Sequence, residues 1–276
     1  MSTSTSDSDL LAPLVTACEH ANPGPLLVVT GAGVSLASGI PTFRGSDPDA
    51  VWANDVMELG TVEYFRRDPV GSWRWYLARF ERALAARPNP AHHALAALER
   101  WQRARGGQFL LVTQNVDTLH DQAGSEALVH VHGRADRFRC TGHGCDHAAP
   151  RGSIARTDAL IAGFLADPQG ATVPRCPACD ALLRQHVLWF DEYYTGHRDY
   201  QIDRVLRVAK DARTVMFVGT SFAVGVTDMI LERGLSRGAA IFSIDPAARA
   251  PHHRVQQIAA PAEQILPDLC VALGAV

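Results

Sequence analysis

The chain has no strong charge of either sign, no long apolar run and few cysteines, and each shortage removes a class of protein. Lys and Arg number 26 against 29 Asp and Glu, a formal net charge of −3. No basic footprint for a nucleic-acid backbone or an anionic membrane surface results, and neither partner is expected. No apolar stretch approaches the roughly 20 residues that cross a bilayer, so no membrane span is expected. Residues 1–9 are polar and of low complexity, without the basic and apolar regions of a secretory signal, and a cytoplasmic location is expected. Six cysteines in 276 residues are too few for a disulfide scaffold. Internal repeats and long linkers are also missing. With 47% hydrophobic residues the chain has enough for one large core, or one core plus a small module.

What is present concentrates first around residues 26–45. Leu26-Leu27-Val28-Val29 is a short apolar run between Pro25 and Gly31, the pattern of a buried strand. It leads into Gly31-Ala32-Gly33. A glycine turn after a buried strand suits a diphosphate, because backbone N–H groups can approach it and a following helix N-terminus adds favourable dipole. The spacing is not that of G-x-G-x-x-G, since position 36 is Leu and the next glycine is Gly39. Apolar strands recur at 108–113, 127–131, 214–218 and 239–244. Helical periodicity fills 10–20, most of 47–105 through Trp73, Tyr76, Phe80, Leu95 and Leu98, and about 262–273.

Apolar strands separated by helices predict a doubly wound, parallel, Rossmann-like α/β sheet. Residues 21–45, 106–133 and 205–276 would form it, after a polar tail and first helix at 1–20. A helical insertion at 46–105 and a cysteine-bearing insertion at 134–190 would form a smaller domain. Ligands of such sheets bind at the carboxyl ends of the strands.

Four cysteines fall in close pairs, Cys140-x4-Cys145 and Cys176-x2-Cys179. Two thiolate pairs suit a tetrahedral Zn2+ site, closed and structural because no position stays open. His143 or His147 remain alternatives to Cys145. Cys18 and Cys270 read as small buried hydrophobes. After the second strand come Gln114, Asn115 and Asp117, and Asn or Asp there can simply cap the next helix. After the third come His130 and His132, which strand alternation puts on one face, so pattern alone does not choose between them.

Five stretches resemble, in order, the signatures of the sirtuin family of NAD-dependent protein deacylases: 30–45, 113–124, His132-Gly133, 182–192 and Gly219-Thr220-Ser221. The resemblance runs from about residue 26 to the C-terminus. It implies NAD held by Gly31, Ala32, Gly33, Thr42, Phe43, Arg44, Gln114, Asn115, Asp117, Gly219, Thr220, Ser221 and Asp245. Phe43 would shield the reactive ribose carbon. Gln114, Asn115 and Asp117 would hold the carboxamide and nicotinamide ribose. An acid at Asp245 would accept from ribose hydroxyls and repel a 2′-phosphate, favouring NAD over NADP.

The same resemblance chooses His132, the histidine before a glycine, as general base, with Asn115 and Asp117 completing the catalytic set. It implies an acyl-lysine protein or peptide adding as a strand along 182–192, with Val187 and Phe190 walling the acyl tunnel. The family usually has Gly where this chain has Asp191, which places a charge near the substrate backbone. Tyr76 and Arg79 stand three apart on one helix face. In the branch that removes succinyl or malonyl groups such a pair binds the acyl carboxylate; otherwise it is ordinary helix surface. The implied reaction releases nicotinamide and O-acyl-ADP-ribose. Mono-ADP-ribosyl transfer or NAD hydrolysis in the same pocket, and an NAD-binding zinc module without turnover, are the alternatives.

Overall fold

The computed structural model describes residues 7–21, 24–41, 56–167 and 172–275. In chain order, α1 (Asp7–Glu19) precedes β1 (Pro25–Thr30), which gives way to a 3₁₀ helix at Ala32–Ser38. Then come α2 (Val56–Leu59), α3 (Val62–Arg67), α4 (Pro69–Ala85) and α5 (Pro90–Ala104). β2 (Gln108–Thr113), α6 (Leu119–Gln122) and β3 (Leu128–His130) follow. β4 (Gly133–Cys140), β5 (Ile154–Ala155), α7 (Asp158–Ala166) and β6 (Leu183–Val187) build a separate layer. The chain ends with α8 (Ile202–Asp211), β7 (Thr214–Val218), α9 (Gly225–Arg237), β8 (Ala240–Ile244), β9 (Val255–Ile258) and α10 (Ala262–Leu273).

The main sheet has the order β3-β2-β1-β7-β8-β9, with every pairing parallel. All six residues of β1 are buried. Alternation sends Leu26 and Val28 to a core shared with α5 and α10, and Leu27 and Val29 to one shared with α8 and α9. Burial on both faces is why these strands read as continuous apolar runs. β9 is the strand that the apolar pattern does not announce. Only its ends, Val255 and Ile258, are buried.

Strand order reverses at β1, with β2 on one side and β7 on the other. Thr30 is level with Thr113 and with Val218. The loops that begin at Gly31, Gln114 and Gly219 therefore leave the sheet side by side at its carboxyl edge. That is where a doubly wound sheet opens a crevice.

The smaller layer is the antiparallel sheet β5-β4-β6. Its core is aromatic. Trp73 of α4 packs on Phe138 and Phe164 and donates Nε1–H to the Leu183 carbonyl at 2.8 Å. α5 instead sends Ala91, Leu95 and Leu98 into the core of the large sheet. Asn89 ties α5 to the glycine loop: its side chain accepts from Ala91 N–H at 2.9 Å, starting α5, and donates to the Val34 carbonyl at 2.8 Å.

Candidate active site

The glycine loop and the loop after β7 are packed backbone to backbone. Gly31 N–H donates to Val218 O at 3.0 Å and Gly33 N–H to Gly219 O at 2.9 Å. A Cβ on Gly31 would lie 2.7 Å from the Gly219 carbonyl oxygen, and one on Gly33 2.7 Å from Gly219 Cα. The sequence pattern points to glycine N–H groups offered to a phosphate. The structure spends these two N–H groups internally, and what glycine supplies at both positions is close approach.

The loop after β2 is tied into the same corner. Gln114 Nε2 donates to Thr30 O at 3.2 Å and to Thr220 Oγ1 at 3.1 Å. Asn115 Nδ2 donates to Gly31 O at 3.2 Å and to Ser35 Oγ at 3.1 Å. Ser35 in turn donates to Asp117 Oδ2 at 3.0 Å, while Asp117 Oδ1 accepts from Leu119 N–H at 3.1 Å. Burial raises the Asp117 pKa, against the lowering effect of the Leu119 and Ser35 hydrogen bonds. Ser35 is the hub here and was not legible in the sequence, where it is one hydroxyl among several. His120, on the buried face of α6, has its Nε2 3.0 Å from Thr30 Oγ1, and burial holds its pKa well below the usual imidazole range.

Three observations bear on NAD. Among the described residues the half-buried Ser221 hydroxyl, next to this corner, makes no hydrogen bond. Asp245 Oδ1 accepts Ala247 N–H at 2.8 Å, and no group among the described residues takes Oδ2. The amide oxygens of Gln114 and Asn115 likewise remain without a protein donor there. Acceptors and a free hydroxyl at a strand-order reversal fit a dinucleotide's ribose and carboxamide groups. Thr42, Phe43 and Arg44 lie outside the described residues.

His130 and His132 do not share a face, because β3 stops at His130. His130 Nε2 turns to Asp121 Oδ2, 2.8 Å away. His132 sits instead at the junction of the two sheets, its Nδ1 2.7 Å from the Gln114 carbonyl. Gly133 makes the junction possible. Its φ is +82°, and a Cβ there would lie 2.1 Å from His186 O. A carbonyl only accepts, so Nδ1 carries the proton and Nε2 the lone pair. Burial lowers the His132 pKa, with the Gln114 hydrogen bond opposing in part. A neutral imidazole with its lone pair at Nε2 is the form a general base requires.

The four paired cysteines come together. Cys140 Sγ is 3.4 Å from Cys179 Sγ and Cys145 Sγ 3.7 Å from Cys176 Sγ. All four sulfurs lie within 4.8 Å of one another, and neither His143 nor His147 joins them. Zn–S bonds of about 2.3 Å in a tetrahedron put sulfurs about 3.8 Å apart, so the cluster fits zinc.

The residues read as substrate contacts are dispersed. β6 ends at Val187, which is buried in the small-layer core, whereas Phe190 lies in a turn and is 45% exposed. Glu192 holds that turn: it accepts Trp189 N–H at 3.0 Å and pairs with Arg184 at 2.8 Å and with Arg139. Asp191 points away from the strand edge. Its oxygens accept from Val62 N–H at 2.9 Å and Glu63 N–H at 3.2 Å, at the start of α3. Tyr76 is buried, stacked on Trp189 with ring centroids 5.8 Å apart. Arg79 lies over the Trp75 ring, 3.8 Å from its centroid.

A parallel sheet with glycine-lined loops at its reversal point, a half-buried neutral histidine and a four-cysteine knuckle that fits zinc mark the class of a dinucleotide-dependent enzyme. Residues 31–226 match the model of the Sir2 family. The chain is 39% identical over 220 residues to an NAD-dependent protein deacylase of Thermus thermophilus, spanning 79% of this chain and 78% of that protein. It is 36% identical over 246 residues to NAD-dependent protein deacylase 1 of Pseudomonas aeruginosa, spanning 88% and 92%. Among solved structures, a Sir2 homologue–NAD complex matches with a TM-score of 0.76 at 33% identity, over 95% of this chain and 93% of that one. The chain belongs to the Sir2 family, and the sirtuin resemblance of its motifs is borne out.

Proposed function

We propose that this protein is an NAD-dependent protein lysine deacylase that releases nicotinamide and O-acyl-ADP-ribose. The observation that carries the reading is His132, fixed through Nδ1 to the Gln114 carbonyl with Nε2 left as the basic atom, beside the dinucleotide corner. NAD, when bound, supplies a ribose carbon from which nicotinamide departs. The amide oxygens of Gln114 and Asn115 and the Asp117 network orient its carboxamide and ribose; Ser221 and Asp245 serve the adenosine side. Gly31, Ala32, Gly33, Gly219 and Thr220 form the floor, and Thr42, Phe43 and Arg44 are proposed to complete it. His132 Nε2 takes the proton of a ribose hydroxyl, which then closes on the acyl group.

Cys140, Cys145, Cys176 and Cys179 hold a structural zinc that fastens the small layer. An acyl-lysine peptide lies along residues 182–192, with Val187 and Phe190 on the acyl side. The Asp191 carboxylate is engaged by the first N–H groups of α3. Tyr76 and Arg79 are the candidate acyl-class determinants. No described helix is long and apolar enough to cross a membrane; a cytoplasmic location is part of this proposal.

The test measures nicotinamide release from NAD with acetyl-, succinyl- and long-chain acyl-lysine peptides and without peptide. Release that depends on an acyl-peptide supports deacylation and names the acyl class. Peptide-independent release points to NAD hydrolysis, and no release to a binding module.

A further inference from the structure

The basic atom of His132 already has a partner. Tyr194 Oη lies 3.2 Å from His132 Nε2. The two rings are stacked, with centroids 5.8 Å apart and planes at 23°. Tyr194 opens a 3₁₀ turn, Tyr194–Gly196, beyond the Trp189–Glu192 turn. Its ring is half-buried against the apolar face of α8 and α9.

The direction of this hydrogen bond follows from its neighbours. Nδ1 of His132 donates to Gln114 O, so Nε2 is bare. A bare ring nitrogen can only accept, so the phenol is the donor of this pair. Burial raises the Tyr194 pKa, so the phenol keeps its proton at neutral pH. That proton therefore points at Nε2. Phenol, imidazole and the Gln114 carbonyl form one chain that ends just past β2.

The lone pair that must take a proton is thus occupied by the phenol. We propose that Tyr194 is a positioning residue that caps the His132 base, and that the ribose hydroxyl must replace the phenol at Nε2 before proton transfer. This rests on the deacylase reading above. In the transfer the ribose O–H bond breaks and an Nε2–H bond forms, leaving the imidazolium. Tyr194 gains and loses no proton. The cap keeps water off the base and makes productive binding compete with an internal hydrogen bond.

The test uses the full chain and Tyr194→Phe, which keeps the ring and removes only the hydroxyl. In ligand-free protein labelled with 15N-histidine, the His132 Nε2 resonance, assigned by its loss in His132→Asn, is expected to move toward the value of an unbonded nitrogen. ADP-ribose, which carries the ribose hydroxyls, is expected to bind Tyr194→Phe about fivefold tighter by calorimetry, the worth of one hydrogen bond. Tyr194→Leu, with thermal unfolding checked for both variants, should reproduce the tighter binding. An unmoved resonance, or an unchanged or weaker affinity in folded variants, overturns the proposal. Nicotinamide release by the unaltered protein is read separately. Acyl-peptide-dependent release with no effect of the Tyr194 substitutions sinks the cap and leaves the deacylase reading. A moved resonance and tighter ADP-ribose without such release keep the contact and sink the catalytic reading.

Discussion

His132 owes its position to the residue after it. Gly133 combines a φ of +82° with a Cβ site 2.1 Å from His186 O, so a side chain there meets both backbone strain and a hard clash. Gly133→Ala is expected to cost more than about 2 kcal/mol in urea unfolding. A loss within about 0.5 kcal/mol would show that the junction relaxes easily. Replacing His132 by Ala should lower acyl-product formation at least about a hundredfold, the usual worth of a general base, while thermal unfolding stays near that of the unaltered protein. Acid should act through other histidines. Burial holds His92 and His186 at about 4, and both rings are almost wholly out of solvent. From pH 6.5 down to 4 the unfolded chain binds protons that the folded chain refuses. Stability is therefore full above pH 6.5 and falls toward pH 4, by on the order of 3 kcal/mol per ring at most. Denaturation midpoints at pH 7 and pH 4.5 check this, and equal midpoints would contradict it.

At the scale of elements, Asp191 shows how a departure from the family pattern is absorbed. The sequence makes the charge visible but not its direction. In the fold its carboxylate takes the two free N–H groups that open α3, linking the turn after β6 to the helical segment. Asp191→Ala should cost about 1 kcal/mol, as loss of a helix cap does, and Asp191→Asn less. No loss in either variant would mean solvent serves those N–H groups equally well. The cysteine knuckle is the other device of this kind. Its sulfurs hold the end of β4 and the approach to β6 together. Removing zinc with a chelator should therefore lower the melting temperature and expose the aromatic core around Trp73, read by its fluorescence. Unchanged melting would deny the metal a structural role.

For the whole molecule, legibility followed the reach of each interaction. The sheet was readable because β1, β2, β7 and β8 are buried on both faces and must be apolar throughout. The edge strand β9 was not, since its middle residues Gln256 and Gln257 face solvent. The cysteine pairs were readable from spacing, but excluding His143 and His147 needed coordinates. The histidine before glycine was chosen by resemblance. Its physical reason, a strand ending at His130 and a left-handed Gly133, lies in the packing of two sheets. Tyr194 contacts a residue 62 positions away, and no local pattern marks it. The corner that binds and the histidine that takes the proton thus meet only when three loops leave the large sheet level with one another.

The measurement that bears most directly on this arrangement is the mass of the ADP-ribose product formed from NAD and an acyl-lysine peptide. Nicotinamide, deacylated peptide and acyl-bearing ADP-ribose in equal amounts are the predicted result. Unacylated ADP-ribose formed at once, with the peptide still acylated, would contradict it.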